Sequence, residues 1–569
     1  MPQKWIIHEV DEVRGRRLAS EAGLHPVVAG LLLSRGICSA DEAKKFLEPK
    51  LSDIPDPFSL SGMEEAASRI ADAFEASERI AIFGDYDADG VTATAILSRF
   101  FAEAGFAPLT SLPSRFGEGY GLTSAAVDDL KDKGVTLIVT VDNGTRAFEA
   151  ISHARAEGVD VVVTDHHDVG SSLPDAVAVV NPKREGSPGE LLHLCGAGVA
   201  FMLTMALRKR LRERNRLASP EPNIRQHLDL VAIGAIADSV ELVGANRIFA
   251  KHGLVEIARS KKSGIRALIE VAGSRADKLT PGAVAFQLAP RINAAGRLSD
   301  AGRALKLMLS DDESESSTIA RELDAANRER QAVEERIVTE AMSILAADPR
   351  LPSRSAIVLS SDGWHVGVVG IVAAKIAQRF CRPAVVITRD SRPPRGSARS
   401  FTGINMVEAL SSCGDLLVKF GGHAMAAGLS VEESSIEAFT ERFDEACAAL
   451  APLTSPNSLS IDARVSADEL TEELAAGIAS MGPFGAGNPE PVLMLDEAEI
   501  VDRRIVGNGH LKLKLKSGGL IFNSIGFGMA DSISPEARSV SAAFTPELNT
   551  WQGMTSLQLK LCALKPASE

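Results

Sequence analysis

The sequence predicts an α/β protein with a parallel-sheet core, a second α/β domain reached through a long helix, and a strand-rich C-terminal barrel or sandwich. Three observations predict it. Apolar runs of strand length alternate with helix-like stretches between Arg79 and Thr164. A segment free of Gly and Pro, rich in Glu, Arg and Ala, runs from Asp311 to Ala347. Past Leu453, apolar and polar residues alternate in HLKLKLK (His510 to Lys516) and SLQLKLCAL (Ser556 to Leu564).

Taken in order, residues up to about 77 read as short helices, with helical periodicity from Met63 to Ala76 and no strand signal. Arg79 to Phe83 is an apolar run ending in the acidic loop GDYDADG, followed by a helix over Val91 to Ala104. Val135 to Val141 ends at Asp142-Asn143-Gly144, and Val159 to Thr164 ends at Asp165-His166-His167. Such alternation indicates βαβ units around a buried parallel sheet, and ligands of such sheets bind beyond the carboxyl ends of the strands. Three successive strands thus deliver Asp or His to one edge. In the Asp311 to Ala347 helix, Ile319, Leu323, Ala326, Val333, Ile337 and Ile344 recur near heptad spacing, which reads as a connector between two lobes. Ser355 to Leu359 and Ala384 to Thr388 read as strands with the helix Val369 to Arg379 between them. The glycine-rich Pro483 to Pro491 reads as a loop at the entrance of the C-terminal domain.

At roughly 150 residues per domain the length suggests three to four domains, and 45% apolar residues suffice for several cores. The formal net charge of -14 argues against indiscriminate coating of duplex nucleic acid. A local basic stretch contains Arg379, Arg382, Arg389, Arg392, Arg395 and Arg399 with only Asp390 as an acid; the alternative is a solvated loop. The six scattered cysteines form no C-x-x-C pair, which suits a reducing compartment. No signal peptide is legible, and no apolar run reaches the ~20 residues of a membrane span, so a cytoplasmic location is expected.

The chemistry concentrates in Asp85, Asp87, Asp89, Asp142, Asp165, His166 and His167, with Asp238 in AIADSVEL. A lone D-x-D more often caps a helix or turn, and adjacent histidines can be a satisfied core feature, which their place directly after a strand carboxylate argues against. Several strand-end carboxylates on one edge repel one another unless cations sit among them. Carboxylate with imidazole suits manganese, magnesium or zinc, with manganese favoured, and no thiolate is expected near these motifs, which counts against a structural zinc.

In order, GDYDADG, TVDNGT, TDHH and AIADSVEL resemble the motifs of the DHH phosphoesterases. LLLSRGICSADEAKKFL, LPSRFGEGYGL, APRINAAGRL, GWHVGVVGIVAAKI, GSARSFTGINMVEAL, KFGGHAMAAGL and PFGAGNPEPV are similar to segments of the RecJ family within them, and they run over nearly the whole chain. The resemblance implies an N-terminal helical lead-in (1–77), a DHH catalytic domain (78–310), a connecting helix (311–350), a DHH-associated domain (351–453) and an OB-fold-like domain (454–569). It implies a 5′→3′ exonuclease that cuts single-stranded DNA to 5′-mononucleotides in recombination and repair. Two divalent metal ions are implied, manganese first and magnesium second. Asp87 and Asp89 would ligate separate metals, Asp142 would bridge them, and His166 and Asp238 would complete the better-furnished site. His167 would contact the scissile phosphate. Asp85, counted with His167 and Asp142 as catalytic, would orient neighbouring groups.

Many superfamily members carry His at the position of Phe83, so the second metal here lacks one protein ligand. Expected DNA contacts are Arg115, Tyr120, Arg291, Asn293, Arg297, Ser397, Arg399, Gly422 and His423, with interlobe salt bridges and turns as the alternative for the three from RINAAGRL. Tyr86, Tyr120, Trp364 and Phe484 are the few candidates for base stacking. A monomer is expected, and the resemblance implies association with single-stranded-DNA-binding protein and a helicase. The competing readings are a small-substrate DHH phosphatase and a catalytically silent binding scaffold.

Overall fold

The computed structural model describes residues 4–9, 11–113, 121–217, 219–298, 300–401, 403–450, 458–551 and 553–566. Two compact units divide the chain, one made of 5–289, 304–317 and 459–569, the other of 1–4, 290–303 and 318–458.

The first unit contains a five-stranded parallel sheet built from β1 (Ile80–Phe83), β2 (Leu109–Ser111), β3 (Leu137–Val141), β4 (Asp160–Thr164) and β5 (Ala178–Val180). Their order is β2-β1-β3-β4-β5, with every neighbouring pair parallel. This is a doubly wound sheet whose order reverses between β1 and β3, the place where such folds bind ligands. Strands β1 and β3 are buried along their whole length, as a sheet covered on both faces requires. On one face, α1 (Ala88–Glu103), α2 (Gly196–Glu213) and α3 (Leu228–Ala237) pack together, and α4 (Gly244–Ala258) lies on α3.

A buried ion pair ties α3 to the chain that follows α4. Lys262 Nζ donates to both oxygens of Asp229, each at 2.9 Å, and Ser260 Oγ donates to Asp229 at 2.8 Å. Neither side chain is more than 8% exposed. Asp229→Ala leaves a cation buried without its partner, so a loss of about 3–5 kcal/mol is expected. Thermal or denaturant melts check this, and a loss typical of a surface residue would contradict it.

The second unit holds most of a long helix, Glu313–Ala347, which begins in the first. Ile319, Leu323 and Ile337 of its predicted stripe are buried, but Ile344 is 40% exposed and Leu345 is buried instead. A helix with 3.6 residues per turn drifts off a strict seven-residue repeat, so Ala341 and Leu345 follow Ile337 into the core. Its sheet has β6 (Ile357–Ser361), β7 (Ala384–Thr388), β8 (Arg395–Arg399), β9 (Leu417–Gly422) and β10 (Ala426–Val431) in the order β9-β10-β8-β7-β6. Strand β6 starts two residues later than the apolar run suggests. The N–H groups of Ser355 and Ala356 are committed to Asp444 Oδ1, at 2.7 and 2.8 Å, rather than to a ladder.

The first unit resumes with a barrel of β11 (Leu493–Val506), β12 (His510–Ser517), β13 (Leu520–Gly526), β14 (Ser539–Trp551) and β15 (Met554–Pro566). The sheet runs β11-β12-β13-β15-β14 and closes because β14 pairs back onto β11. Its core is continuous with that of the N-terminal helices, Leu18, Leu31 and Leu32 packing with Leu474, Leu513 and Phe544. The lead-in therefore serves the barrel through residues 18–47, while its helix Met63–Glu75 packs on α2 and β5. It also contains a strand that the sequence does not signal, Lys4–Ile7, paired with Ser458–Ile461.

Candidate metal centre

The loop after β1 carries Asp85 and Asp87, the first turn of α1 carries Asp89, and the residue after β3 is Asp142, so four carboxylates flank the switch point of the sheet. Asp87 caps α1, its Oδ1 accepting from the N–H groups of Asp89 (3.0 Å) and Gly90 (3.1 Å). The capping reading of D-x-D is thus correct for one oxygen of Asp87 and leaves the other for a ligand. The Asp142 N–H donates to Thr164 O at 3.0 Å, placing the residue one step beyond β3. Its φ of +63° is rare for a side chain with a Cβ, and such strain collects at functional sites. Asn143 secures the turn by donating to Phe83 O (3.2 Å) and Val141 O (2.9 Å).

His166 Nε2 lies 3.0 Å from Asp142 Oδ1, 3.6 Å from Asp238 Oδ2 and 3.8 Å from Asp89 Oδ2. Two sets of side chains can each hold a cation: Asp89, His166 and Asp238, and Asp85, Asp87 and Asp142. A third grouping, Asp142 with His166 and His167, overlaps the first through His166 and the second through Asp142. Phe83 is 1% exposed in the sheet core and offers no ligand; Asp85, just beyond it, joins Asp87 and Asp142.

The donor set fits divalent cations on two counts. His166 Nε2 is buried and lacks a hydrogen-bond partner among the described residues. Burial, with the positive charge of His167, lowers its pKa to about 3, so the imidazole is neutral and its Nε2 faces carboxylates. The acids meanwhile are strained by one another. Burial and then the charge of Asp87 push Asp89 up to about 6. Burial and the charges of Asp89, Asp87, Asp85 and Asp238 lift Asp142 well above the usual carboxylate range, and Asp238 shifts upward by burial and Asp89.

Asp165 has a different task. Its carboxylate accepts from the N–H groups of Thr145 (2.9 Å), His166 (2.7 Å) and His167 (3.1 Å) and from His167 Nδ1 (2.7 Å). Burial opposes the charged form of His167, but the Asp165 hydrogen bond and charge outweigh it and raise its pKa to about 9. Asp165 is held low by the same partnership, against its burial. Asn181 steadies the corner, donating to Thr145 Oγ1 (3.1 Å) and His167 O (2.9 Å).

One support is missing from the sequence reading. Asp89 accepts from the N–H groups of Gly196 (2.6 Å) and Ala197 (2.9 Å) at the start of α2, where backbone donors and the helix dipole favour an anion. Cys195 caps that helix, and its buried thiol lies beside Asp89. A thiol therefore does stand near the cluster, though burial and the charge of Asp89 raise its pKa well above normal and keep it protonated. Glycine is required at two contacts: a Cβ at Gly196 would lie 2.5 Å from Asp142 Cβ, and one at Gly234 would lie 2.6 Å from Asp89 Oδ1. The run LCGAG, a glycine-rich helix start, is the signal that identifies this support.

The acids make stability depend on pH and metal together. Folding without cations lifts Asp89 from 3.8 to about 6, so the folded chain binds this proton more tightly than the unfolded one. The contribution favours folding below about pH 4 and is lost as pH rises through about 6. Asp142 and Asp238 act in the same direction. Manganese is therefore expected to raise the melting temperature more at about pH 8 than at about pH 5. An equal rise at both, in thermal melts with and without the ion, would contradict this.

Of the expected DNA contacts, Arg115 and Tyr120 lie outside the described residues. Asn293, Arg297, Ser397, Arg399, Gly422 and His423 all belong to the second unit, as does Arg291. Arg291 pairs with Asp324 at 2.9 Å, Arg297 donates to Gly367 O at 3.1 Å, and Arg399 donates to Ser397 Oγ at 2.6 Å. Gly422 ends β9 and His423 is exposed in the turn that follows. Within the basic stretch, Arg382 donates to Leu351 O and Arg389 to Ser360 Oγ, so part of it is structural. Trp364 is fully buried and unsuited to stacking.

Three family profiles match: the DHH family N-terminal domain over residues 79–235, the DHHA1 domain over 353–449 and the RecJ OB domain over 461–563. Single-stranded-DNA-specific exonuclease RecJ of Escherichia coli is 38% identical over 558 residues, 95% of each chain. The crystal structure of RecJ from Thermus thermophilus with Mn2+ superposes with a TM-score of 0.85 at 32% identity, covering 100% of this chain and 80% of that one. The same organism's RecJ with Mg2+ gives a TM-score of 0.78 at 31% identity, covering 99% and 79%. With the sheet, the barrel and the carboxylate–imidazole cluster, these matches establish that the chain belongs to the RecJ family of DHH phosphoesterases.

Proposed function

We propose that the chain is a metal-dependent 5′→3′ exonuclease that cuts single-stranded DNA to 5′-mononucleotides in recombination and repair. The observation that carries it is the pair of ligand sets, Asp89–His166–Asp238 and Asp85–Asp87–Asp142, at the sheet's switch point. These residues would hold two divalent cations, manganese first and magnesium second, which supply water activation and neutralise phosphate charge. Asp85 takes a ligand's part in the set that lacks a histidine.

The remaining work belongs to protein groups. Water attacks the phosphorus of the terminal diester, its proton passing to solvent, and the bond to the 3′ oxygen breaks. Cationic His167, fixed by Asp165, stabilises the charge that develops and gives the leaving oxygen its proton. Asn293, Arg297, Ser397, Arg399, Gly422 and His423, with Arg115 and Tyr120, would receive the strand. The Arg291–Asp324 pair favours a bracing role for Arg291. The five-part division of the chain, a monomeric state, a cytoplasmic setting, and association with single-stranded-DNA-binding protein and a helicase belong to the same proposal. No helix among the described residues is long and apolar enough to cross a membrane.

The barrel offers a track for the strand. Lys512, Lys514 and Lys516 are exposed on alternate positions of β12, while Leu511, Leu513 and Leu515 point into the core. Phe527, 60% exposed at the end of β13, stands edge-on to His510 with ring centroids 5.3 Å apart. Lysines beside an exposed ring suit backbone contact with base stacking, and OB-folds bind oligonucleotides on this strand pair. Changing all three lysines to Gln is expected to reduce the salt slope of long-oligonucleotide affinity by about 2 and to spare the turnover of very short ones. An unchanged slope would remove the track.

The activity itself is tested with manganese and three substrates: single-stranded DNA, blunt duplex and pyrophosphate. Only the first should be consumed. Comparable turnover of pyrophosphate would favour the small-substrate reading, and turnover of none would favour a silent scaffold.

A further inference from the structure

The segment Pro483–Pro491 has no part in the chemistry above. It is a loop leading into β11, and it lies against the stretch that follows Asp238. Leu242 donates its backbone N–H to Ala486 O at 2.8 Å. A Cβ at Gly485 would stand 2.8 Å from Leu242 Cδ1. One at Gly487, whose φ is +70°, would stand 2.9 Å from Glu241 Cβ and 3.2 Å from Val243 Cγ1. The loop is pinned in turn. The buried Asn488 donates to Met481 O (3.0 Å) and Pro483 O (2.9 Å) and accepts from Arg35 Nε (3.3 Å). Arg247, on α4, donates to Met481 O (2.8 Å) and Gly482 O (2.9 Å).

Asp238 stands where support is needed. It is the C-cap of α3, the end at which the helix dipole disfavours a carboxylate. It shares its ligand set with another acid, Asp89. The next residue, Ser239, has a φ of +58°, a conformation that persists only where the surroundings hold it. On one side Asn246 donates to Glu241 O at 3.1 Å, and His193 Nδ1 lies 3.5 Å from Glu241 Oε2. On the other side the cover is the loop.

We propose that the loop 482–489 is a positioning element for the metal centre: through Leu242 and Glu241 it holds residues 238–243 so that the Asp238 carboxylate stays with Asp89 and His166. The proposal rests on the metal reading above and adds to it. The C-terminal domain then supports cation affinity as well as DNA binding. A chain cut after about residue 455 would lose the loop partners of Leu242 and Arg247.

The test titrates Mn2+ against the full chain and two variants, following free ion by electron paramagnetic resonance, with thermal melts in parallel. Gly487→Ala presses on Glu241 and Val243. Gly519→Ala is the control: its φ is +81° in the β12–β13 turn, and nothing lies within 4 Å of the added Cβ. Gly487→Ala should weaken the tighter Mn2+ binding about ten-fold, the scale of an outer-shell change. Gly519→Ala should leave it unchanged at a similar loss of melting temperature. Equal affinity in all three proteins, or equal weakening in both variants, overturns the proposal. If Gly487→Ala does not fold, Gly485→Ala, which meets only the end of Leu242, should weaken Mn2+ in the same direction, and unchanged affinity overturns the proposal equally. A parent chain that takes up no Mn2+ overturns the metal reading, and this proposal with it.

Discussion

Asp142→Asn is expected to abolish hydrolysis while making the metal-free chain more stable. Loss of one charge-stabilising group at a phosphoryl or acyl centre costs roughly 10²–10³ in rate. Asp142 belongs to two overlapping ligand sets with His166 and with Asp85 and Asp87, so a fall of about a thousand-fold or more is expected. The gain in stability has two physical sources. Burial and four neighbouring carboxylates oppose the charge of Asp142, and Asn removes that charge at nearly constant shape. Asn also tolerates the left-handed φ of +63° better than most residues. Steady-state kinetics and melts of the metal-free proteins check both halves. A variant that is inactive because it is less stable would contradict the account.

Asp165→Asn should lower kcat by about 10²–10⁴ and leave manganese affinity nearly intact. Asp165 accepts from Thr145, His166 and His167 and is absent from both cation sets at the switch point. An amide there can no longer hold His167 as a cation, and its NH₂ group can turn the ring to the wrong tautomer. The raised His167 pKa, about 9, depends on that carboxylate. The alkaline limb of the pH–rate profile should therefore move toward lower pH in the variant, because a group whose pKa falls loses its proton earlier. An unmoved limb would show that His167 is not the proton donor.

Much of this site is legible in the sequence because strand ends place residues without long-range information. β1, β3 and β4 are apolar runs, and the first polar residue after each is fixed at the sheet edge. β2 and β5 escape a periodicity reading because Leu109–Ser111 and Ala178–Val180 are only three residues long. The support of Asp89 escapes it for another reason: Cys195, Gly196 and Ala197 are more than 100 residues away and meet the acid only through packing of α2 on α1. The burial of Trp364 and of Leu345 in place of Ile344 likewise depends on which neighbours each helix and loop finds. The hydrogen bonds of Asp165 and of the segment Pro483–Pro491 are likewise ones that composition cannot reveal.

The most direct test labels one single-stranded oligonucleotide at its 5′ end and a second copy at its 3′ end, and digests each with the full chain and manganese. Immediate release of the 5′ label as a mononucleotide is expected, with late release of the 3′ label, and neither from Asp142→Asn. Release of the 3′ label first, or internal fragments from the start, would contradict a 5′→3′ exonuclease centred on these carboxylates.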